Sequence, residues 1–268
     1  MRLPECTAVL TGASGGIGLE LASQLCAAGA RVLAVSRHMG PLAALMNRYP
    51  QQLRWQSADL RSPAGRQAVI AAARAYGGAN LLINAAGVNR FALFEQLDEA
   101  ALDDLIDLNI KATLQLTCGL LPLLREQPRA LVVNVGSIYG SIGYPGYATY
   151  SASKFALRGF SEALRRELAD TSVNVLYAAP RATRTSMNSS AATALNQALK
   201  VGMDDPGDVA KAVLDAVQAE RSELYLGWPE KLFVRLNGML PGLVDRALRK
   251  QLPLIRRYSD ANSKESNK

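Results

Sequence analysis

Residues 7–18 read TAVLTGASGGIG, and this stretch decides the fold. Its first five residues form a short apolar run of the kind found in buried parallel strands. Gly12, Gly16 and Gly18 come next, directly before a helical pattern. Glycines in that place permit a tight turn, a close approach of the backbone to a pyrophosphate and close packing of helix on strand, while the free amides of the helix N-terminus attract the anion. The segment therefore predicts a nucleotide-binding turn between a first strand and a first helix.

Similar apolar runs recur along the chain and alternate with helical patterns. The predicted strands are 7–11, 31–36, 53–57, 80–84, 130–135, 173–178 and 223–226. The predicted helices are 18–28, 41–49, 63–76, 99–126, 150–169 and 205–219. This alternation predicts an α/β fold: a Rossmann-type, doubly wound parallel sheet of about seven strands with helices on both faces. We expect a single domain over residues 1–258 and a disordered polar tail at 259–268.

Composition excludes several classes of protein. No stretch reaches the roughly 18 apolar residues of a membrane-spanning helix, and the first fifteen residues lead straight into the glycine-rich turn, so we expect a cytoplasmic protein. His38 is the only histidine, which argues against a zinc site built on imidazoles and against a Ser-His-Asp triad. We expect no metal. The three cysteines, Cys6, Cys26 and Cys118, are widely spaced and interpreted as reduced core residues.

The net charge of +7 is concentrated near the C-terminus. From Trp228 onward there are nine Lys or Arg and four Asp or Glu, which leaves the rest of the chain near neutrality. The segment carries no aromatic-interleaved platform of the kind that binds single-stranded nucleic acid. We therefore expect a solvated basic appendage and no nucleic-acid partner.

Three polar residues, Tyr150, Lys154 and Ser137, stand at positions that suit carbonyl chemistry. Tyr150 and Lys154 are four apart on a predicted helix, so both side chains project from one face. Reduction of a carbonyl needs a proton donor, and a neighbouring cation would lower the pKa of a tyrosine toward neutrality. Ser137 lies directly beyond the fifth strand, and Asn109 follows Leu108 within a predicted helix.

These motifs, with glycines spaced T-G-x-x-x-G-x-G, resemble the compact form of the short-chain dehydrogenase/reductase family over about residues 5–227. The resemblance implies that Tyr150 is the general acid/base, that Lys154 lowers its pKa and binds the nicotinamide ribose, that Ser137 polarises the substrate, and that Asn109 supports a proton-relay water. The cofactor-binding residues that it implies are Thr11, Gly12, Ser14, Gly16, Ile17, Gly18, Arg37, Asp59, Leu60, Asn84, Ala85, Ala86, Gly87, Tyr150, Lys154, Pro180 and Thr185.

The residue that discriminates between NAD and NADP is expected at the end of the second strand. NAD enzymes usually place an acid there, against the ribose 2′-hydroxyl, whereas this chain reads Val35-Ser36-Arg37. Arg37 would meet a 2′-phosphate with a charge-assisted contact, so we expect NADP(H). An ordinary exposed arginine at a loop start is the alternative.

One position departs from the family pattern. The family usually has Pro-Gly after the sixth strand, and this chain has Pro180-Arg181, with Thr185 at the spacing expected for contact with the nicotinamide carboxamide. Arginine restricts that backbone. As a hypothesis, Arg181 and Arg184 bind an anionic substrate.

Substrate choice is expected in residues 141–147 and in a mobile lid at 181–203. A C-terminal extension at 228–258 has Leu232, Leu236, Met239 and Leu240 at helical spacing. We expect a helix that packs on the body or on a sister subunit; the alternative is an amphipathic element that rests on anionic lipid.

Together these features predict an NADP(H)-dependent oxidoreductase that interconverts a ketone or aldehyde and an alcohol, working as a reductase on an apolar or acyl carbonyl. A catalytically silent NADP-binding sensor is the first alternative, and a nucleic-acid or scaffold protein using the basic tail is the second. Family resemblance also implies a homodimer or homotetramer, with an interface on the helices predicted at 99–126 and 150–169.

Overall fold

Seven parallel strands form one sheet in the computed structural model, which describes residues 1–266, with side chains as far as Asn262. The strands are β1 (Thr7–Thr11), β2 (Arg31–Ser36), β3 (Leu53–Ser57), β4 (Leu81–Asn84), β5 (Ala130–Val135), β6 (Val173–Ala179) and β7 (Glu223–Tyr225). Their order is β3-β2-β1-β4-β5-β6-β7. The chain reverses its winding between β1 and β4, which is where such sheets bind ligands.

Helices cover both faces of the sheet. They are α1 (Gly16–Ala27), α2 (Leu42–Arg48), α3 (Pro63–Ala75), α4 (Glu99–Ile106), α5 (Thr113–Arg125), α6 (Ala148–Glu167), α7 (Ser190–Ala198), α8 (Pro206–Gln218), α9 (Glu230–Met239) and α10 (Pro241–Ser266). Successive β1 side chains enter different cores: Leu10 packs with α1 and α8, and Val9 packs with α3 and α5. The predicted doubly wound α/β sheet is confirmed.

The helix predicted over 99–126 is present from Glu99 to Arg125, but it is not a regular α-helix throughout. The helical path is interrupted by a π-helical turn, Asp107–Ala112, between α4 and α5. This turn places the Asn109 side chain against the backbone of Val88, where Asn109 Oδ1 accepts from Val88 N–H at 2.8 Å and Asn109 Nδ2 donates to the Val88 carbonyl at 3.0 Å. A tertiary contact of this kind leaves no trace in the helical periodicity.

The C-terminal extension is longer and more ordered than predicted. The disordered tail expected at 259–268 is wrong over its first part, because α10 continues to Ser266. Ser259 is fully buried and accepts from Leu93 N–H at 3.0 Å, and Asn262 Nδ2 donates to the Phe91 carbonyl at 2.9 Å. These hydrogen bonds fix the segment that its polar composition marked as disordered. Residues 267–268 lie outside the described part of the chain.

Domain boundaries beyond this remain predictions. A single domain at 1–258 and a mobile lid at 181–203 are not decided by the fold, although α7 lies within that segment. Among the described helices, none is long and apolar enough to cross a membrane.

The cysteines divide into two groups. Cys6 and Cys26 are buried, and burial raises the pKa of each thiol to about 11, so both stay protonated at neutral pH. Cys118 is exposed on α5, which corrects its interpretation as a core residue. It lies on the outer side of that helix, whereas Leu116 and Leu120 are buried.

Candidate active site

A cleft of about 540 Å³ opens at the carboxyl edge of the sheet. Register explains its position: Thr11 pairs with both Val35 and Asn84, and Asn84 pairs with Asn134, so four strands end at nearly one level. Predicted site residues that line it are Gly12, Ser14, Gly16, Ile17, Gly18, Arg37, Asp59, Leu60, Ala85, Ala86, Gly87, Ser137, Tyr150, Lys154, Pro180 and Thr185. Three other predicted residues, Thr11, Asn84 and Asn109, lie outside that lining.

The glycine-rich turn is shaped for a close backbone approach. Gly12 has φ +67°, and a Cβ there would lie 2.7 Å from the Ala85 carbonyl oxygen. A Cβ at Gly18 would lie 2.1 Å from the Gly12 carbonyl oxygen, so helix α1 reaches this depth only with glycine. Helix α1 begins without a side-chain cap. Its first amides are therefore available to an anion in the cleft.

Thr11 and Asn84 support this turn from beneath, and their contact with a cofactor stays a prediction. Thr11 Oγ1 accepts from the backbone N–H groups of Ala85 and Ala86, each at 3.1 Å. Asn84 Nδ2 donates to Thr117 Oγ1 at 3.0 Å and to Asn134 Oδ1 at 2.9 Å. Both side chains thus hold β4 and the residues after it against neighbouring elements.

Charged residues gather at the end of the cleft beyond β2 and β3. Arg61 binds the Asp59 carboxylate, with Nη2 to Oδ2 at 2.8 Å, and also binds Asp104. The hydrogen bond from Arg61 is the main reason that the pKa of Asp59 is lowered, and the Arg37 charge adds to it. Arg37 itself is exposed, and within residues 1–266 no hydrogen bond or ion pair holds its guanidinium. Asp59 is therefore committed to Arg61, and Arg37 is available to a ligand.

Tyr150 and Lys154 lie on the buried face of α6, one turn apart, with Lys154 Nζ 5.6 Å from the centre of the Tyr150 ring. The Ser137 side chain lies close enough to Tyr150 to lower the pKa of its phenol. The Ser137 backbone is fixed in turn by Tyr177, whose hydroxyl donates to the Ser137 carbonyl at 3.0 Å. Sequence reasoning missed Tyr177, because its place in β6 showed only an apolar strand position.

Burial dominates the protonation of this pair. It raises the pKa of Tyr150 to about 12, against a smaller lowering by the Ser137 hydrogen bond. It lowers the pKa of Lys154 to about 8, and the Lys154 amine donates to the Val135 carbonyl at 3.1 Å. The lowering of the tyrosine pKa that the resemblance implies is thus not produced by these side chains alone. Tyr150 is held as a proton donor at neutral pH.

Asn109 is buried beside this pair and is committed to structure. Besides both bonds to Val88, its Nδ2 donates to Ser153 Oγ at 3.1 Å, which ties the π-helical turn to α6. A Cβ at Gly87 would lie 3.1 Å from Asn109 Oδ1 and 3.8 Å from Lys154 Nζ. Its support of a relay water stays a prediction, and its side-chain amide is already used.

Arg181 and Arg184 have partners within the protein, and only Arg181 lines the cleft, which argues against the hypothesis that they bind an anionic substrate. Arg181 donates to Asp204 Oδ1 at 2.7 Å through Nη2 and lies 3.2 Å from Glu230 Oε1 through Nη1. Arg184 donates to the Met203 carbonyl at 2.6 Å. The arginine that replaces the family glycine therefore fastens α9 to the loop after β6.

An aromatic cluster forms one wall of the cleft beside Tyr150. The Tyr139 and Tyr147 rings line the cleft and lie with centres 5.3 Å apart, each 6.3 Å from the Tyr150 ring. Phe91 packs on Tyr147, and Ile255 of α10 closes the cluster from behind. Sequence reasoning assigned residues 141–147 to substrate choice, but it did not anticipate the contribution of α10.

The sequence matches the family described as short chain dehydrogenase over residues 6–196. The chain belongs to the short-chain dehydrogenase family. A curated relative, 3-oxoacyl-[acyl-carrier-protein] reductase FabG of Vibrio cholerae, is 29% identical over 219 residues, which cover 80% of this chain and 90% of the relative. This confirms the family resemblance and, with it, an oxidoreductase.

Two solved short-chain dehydrogenases share the fold. One, from Burkholderia cenocepacia in complex with NADP, has a TM-score of 0.77 and 26% identity, covering 92% of this chain and 99% of its own. Another, from Burkholderia phymatum in complex with NAD, has a TM-score of 0.82, covers 91% of this chain and 96% of its own, and at 22% identity shows the fold alone. Since both nucleotides occur on this architecture, the choice between them depends on individual residues.

The residues of this cleft fit a nicotinamide dinucleotide, the cofactor class of the short-chain dehydrogenases. The glycine turn and the uncapped start of α1 suit a pyrophosphate. At the other end, Asn89 Oδ1 is buried in the cleft lining and has no hydrogen-bond partner in the described part of the protein. A polar atom in that state is expected to meet a bound group.

Proposed function

We propose that this protein is an NADP(H)-dependent reductase of a small apolar or acyl carbonyl compound. The observation that carries this proposal is the grouping of Ser137, Tyr150 and Lys154 in the same cleft as the glycine turn and Arg37. The location expected from the sequence, the cytoplasm, stays a prediction.

The chain's own residues supply the proton and the orientation. When bound, the nicotinamide supplies the hydride that goes to the carbonyl carbon. Tyr150 donates its phenolic proton to the carbonyl oxygen, which becomes the alcohol hydroxyl. Ser137, fixed by Tyr177, hydrogen-bonds the same oxygen and holds it next to the phenol. Lys154 faces the resulting phenolate and stabilises it by its charge.

Arg37 favours the phosphorylated nucleotide. Its guanidinium is exposed and unpaired within the described residues, and the acid usual in NAD enzymes is absent from the end of β2. The Asp59 carboxylate, whose pKa the Arg37 charge helps to lower, is bound by Arg61. An arginine in this situation can form charge-assisted hydrogen bonds with a 2′-phosphate.

An apolar substrate suits the aromatic wall. Tyr139 and Tyr147 present ring faces and edges beside the catalytic hydroxyl, and Ile138, Val88 and Met187 add apolar lining. Arg181 and Arg184, the candidates for binding an anionic substrate, bind Asp204 and the Met203 carbonyl instead. A reductase of acyl carbonyls is also the activity named for the Vibrio relative.

The testing experiment separates cofactor choice from chemistry. NADPH and NADH are titrated by fluorescence against the wild type, Arg37→Ala and the control Arg48→Ala, whose arginine is exposed on α2 outside the cleft. Turnover is then followed over ketones and 3-oxoacyl thioesters, with Tyr150→Phe as the chemical control. We expect Arg37→Ala alone to weaken NADPH binding, by roughly tenfold to a hundredfold, and Tyr150→Phe to bind NADPH normally while losing roughly a hundredfold or more in kcat.

A catalytically silent sensor is the competing function. It predicts tight NADPH binding by the wild type with no turnover on any carbonyl of the panel. The intact set of Ser137, just after β5, and Tyr150 and Lys154, on α6, favours the enzyme. Equal binding of NADPH and NADH, unchanged in Arg37→Ala, would refute the cofactor choice and leave the reductase chemistry standing.

A further inference from the structure

An exposed apolar surface lies on the C-terminal extension. We call it the α9 patch: Trp228, Leu232, Phe233, Met239, Leu240 and Leu243. Trp228 is 73% exposed and Met239 is 80% exposed. Six of the eleven large exposed hydrophobic side chains in the described chain fall within these sixteen residues, and α9 itself has no buried residue. Contiguous exposed apolar groups of this kind mark an interaction surface.

The charged residues of α9 and of the first two-thirds of α10 are almost all positive. Residues 231–258 contain seven Lys or Arg, namely Lys231, Arg235, Arg246, Arg249, Lys250, Arg256 and Arg257. They contain a single acid, Asp245. Glu230, at the start of α9, is occupied by Arg181. The surface therefore combines protruding apolar groups with an excess of cations.

The positive charge around the α9 patch indicates which kind of partner binds there. Two copies meeting through the same patch would bring like charges together, because a two-fold interface places each patch against itself. An anionic lipid surface instead attracts the cations and receives the apolar side chains, with tryptophan at the level of the headgroups. The patch is ten residues of helix plus its flanks, which suits a helix lying in the interface rather than one crossing it.

The patch is attached to the substrate end of the cleft at two points. At its start, Glu230 binds Arg181, which lines the cleft. Seven residues later on the same helix, Asn237 Nδ2 donates to the Ser141 carbonyl at 2.9 Å. Ser141 lies in the turn that follows Ser137. A surface seated on the α9 patch therefore adjoins the loops that border the catalytic groups.

We propose that the α9 patch binds the surface of an anionic lipid bilayer and thereby brings the cleft beside substrates that reside in lipid. The access to lipid substrates rests on the proposed reductase function. The binding to lipid does not.

The test is co-sedimentation of the purified full chain, without cofactor, with vesicles of phosphatidylcholine and phosphatidylglycerol. We expect binding that weakens as salt rises and that is at least tenfold weaker with phosphatidylcholine alone. A triple variant, Phe233→Ser, Met239→Ser and Leu240→Ser, should lose binding by at least tenfold. The control Phe94→Ser removes a side chain that is 61% exposed away from the patch and should bind like the wild type.

Folding and chemistry are checked separately. Because the three substituted side chains are exposed, thermal unfolding and NADPH affinity of the triple variant should match the wild type. Wild-type protein that stays in the supernatant with anionic vesicles overturns the proposal, as does binding equal in wild type and triple variant. A concentration-dependent dimer in analytical ultracentrifugation, lost in the triple variant, would identify a second copy as the occupant and refute the lipid surface.

Vesicle binding needs no turnover, so it can succeed even if the reductase assignment fails. To test access to lipid substrates, turnover rates are compared between a short water-soluble ketone and a long-chain 3-oxoacyl compound held in vesicles. We expect the triple variant to keep its rate on the soluble ketone and to lose roughly tenfold on the vesicle-held compound. Equal rates of wild type and variant on both substrates would refute the access to lipid substrates and leave the lipid binding standing.

Discussion

Lys154 illustrates at the scale of one residue how a catalytic requirement opposes stability. Its amine is buried, and its pKa is lowered to about 8 because burial disfavours the charged form. Below pH 8 the folded protein carries the full cost of that burial. Between pH 8 and the ordinary value of 10.5, only the unfolded chain binds the proton, so the free energy of unfolding contributed by this residue rises with pH.

We therefore predict that Lys154→Met stabilises the ligand-free protein at pH 7, by on the order of 3 kcal/mol, while abolishing turnover. The stabilisation should shrink as pH rises from 8 toward 10.5, as measured by urea unfolding of both proteins at several pH values. Parallel pH dependence in the two proteins would show that Lys154 is not buried as a cation. Lys211, an exposed lysine on α8, gives the control Lys211→Met.

Arg181 stands where the family pattern has glycine, and its side chain makes contacts that a glycine could not. It joins Asp204, before α8, to Glu230, at the start of α9. Both carboxylates are about four-fifths shielded from solvent. Restoring the family glycine would leave them without a cation.

We predict that Arg181→Gly lowers the free energy of unfolding by about 1–2 kcal/mol and raises KM more than it lowers kcat. The reason is that α9 and the loop after β6 lose their shared anchor, whereas Tyr150 and Ser137 keep their positions. Arg184→Gly is the matched control, since its side chain is 57% exposed and its nearest carboxylate is 3.6 Å away. A fall in kcat with unchanged KM would place Arg181 in the chemistry instead.

At the scale of elements, α10 acts as the rear support of the substrate wall. Ile255 is fully buried against Phe91 and Tyr147 from the loops, and against Leu195 of α7. The Tyr144 hydroxyl donates to Gln251 Oε1 at 2.6 Å, which adds a polar tie between the same loop and the same helix.

Shortening the Ile255 side chain should lower both the stability of the protein and its affinity for substrate. We predict that Ile255→Ala destabilises the protein by about 2–4 kcal/mol and raises KM, with NADPH affinity unchanged. Calorimetry, kinetics and fluorescence titration measure these three quantities. Leu243→Ala, at an exposed position of the same helix, should change none of them. Weakened NADPH binding in Ile255→Ala would mean that α10 supports the whole cleft.

At the scale of the whole molecule, two exposed apolar side chains mark a second surface. Ile106 on α4 and Phe155 on α6 are each about two-fifths exposed, on the helices that the family resemblance assigned to subunit contacts. Helices α4 and α6 pack against each other, so these side chains belong to one side of the protein.

We predict that the wild type forms a dimer or tetramer and that Phe155→Asp shifts it toward monomer, because a charge cannot be buried unpaired in an apolar contact. Sedimentation velocity measures the change. Phe94→Asp, at an exposed position on another segment, should leave the oligomer intact. An oligomer unaffected by Phe155→Asp would direct attention to the α9 patch.

The sequence determined the sheet, the glycine turn and the catalytic set, because each is encoded locally. Buried parallel strands read as apolar runs, so four strands were predicted with the bounds that the structure gives, and Tyr150 and Lys154 share a face because they are one helical turn apart. Arg37 could be found because its position follows from the end of one strand.

Tertiary structure alone decided the partners of side chains that meet across long separations. The π-helical turn brings Asn109 to Val88, Ser259 and Asn262 of α10 bond to residues 91–93, and Arg181 binds Asp204 and Glu230. Hydrogen bonds and ion pairs of this kind depend on how elements pack. No periodicity or propensity along the chain records that packing, and only the assembled fold brings these groups within reach of one another.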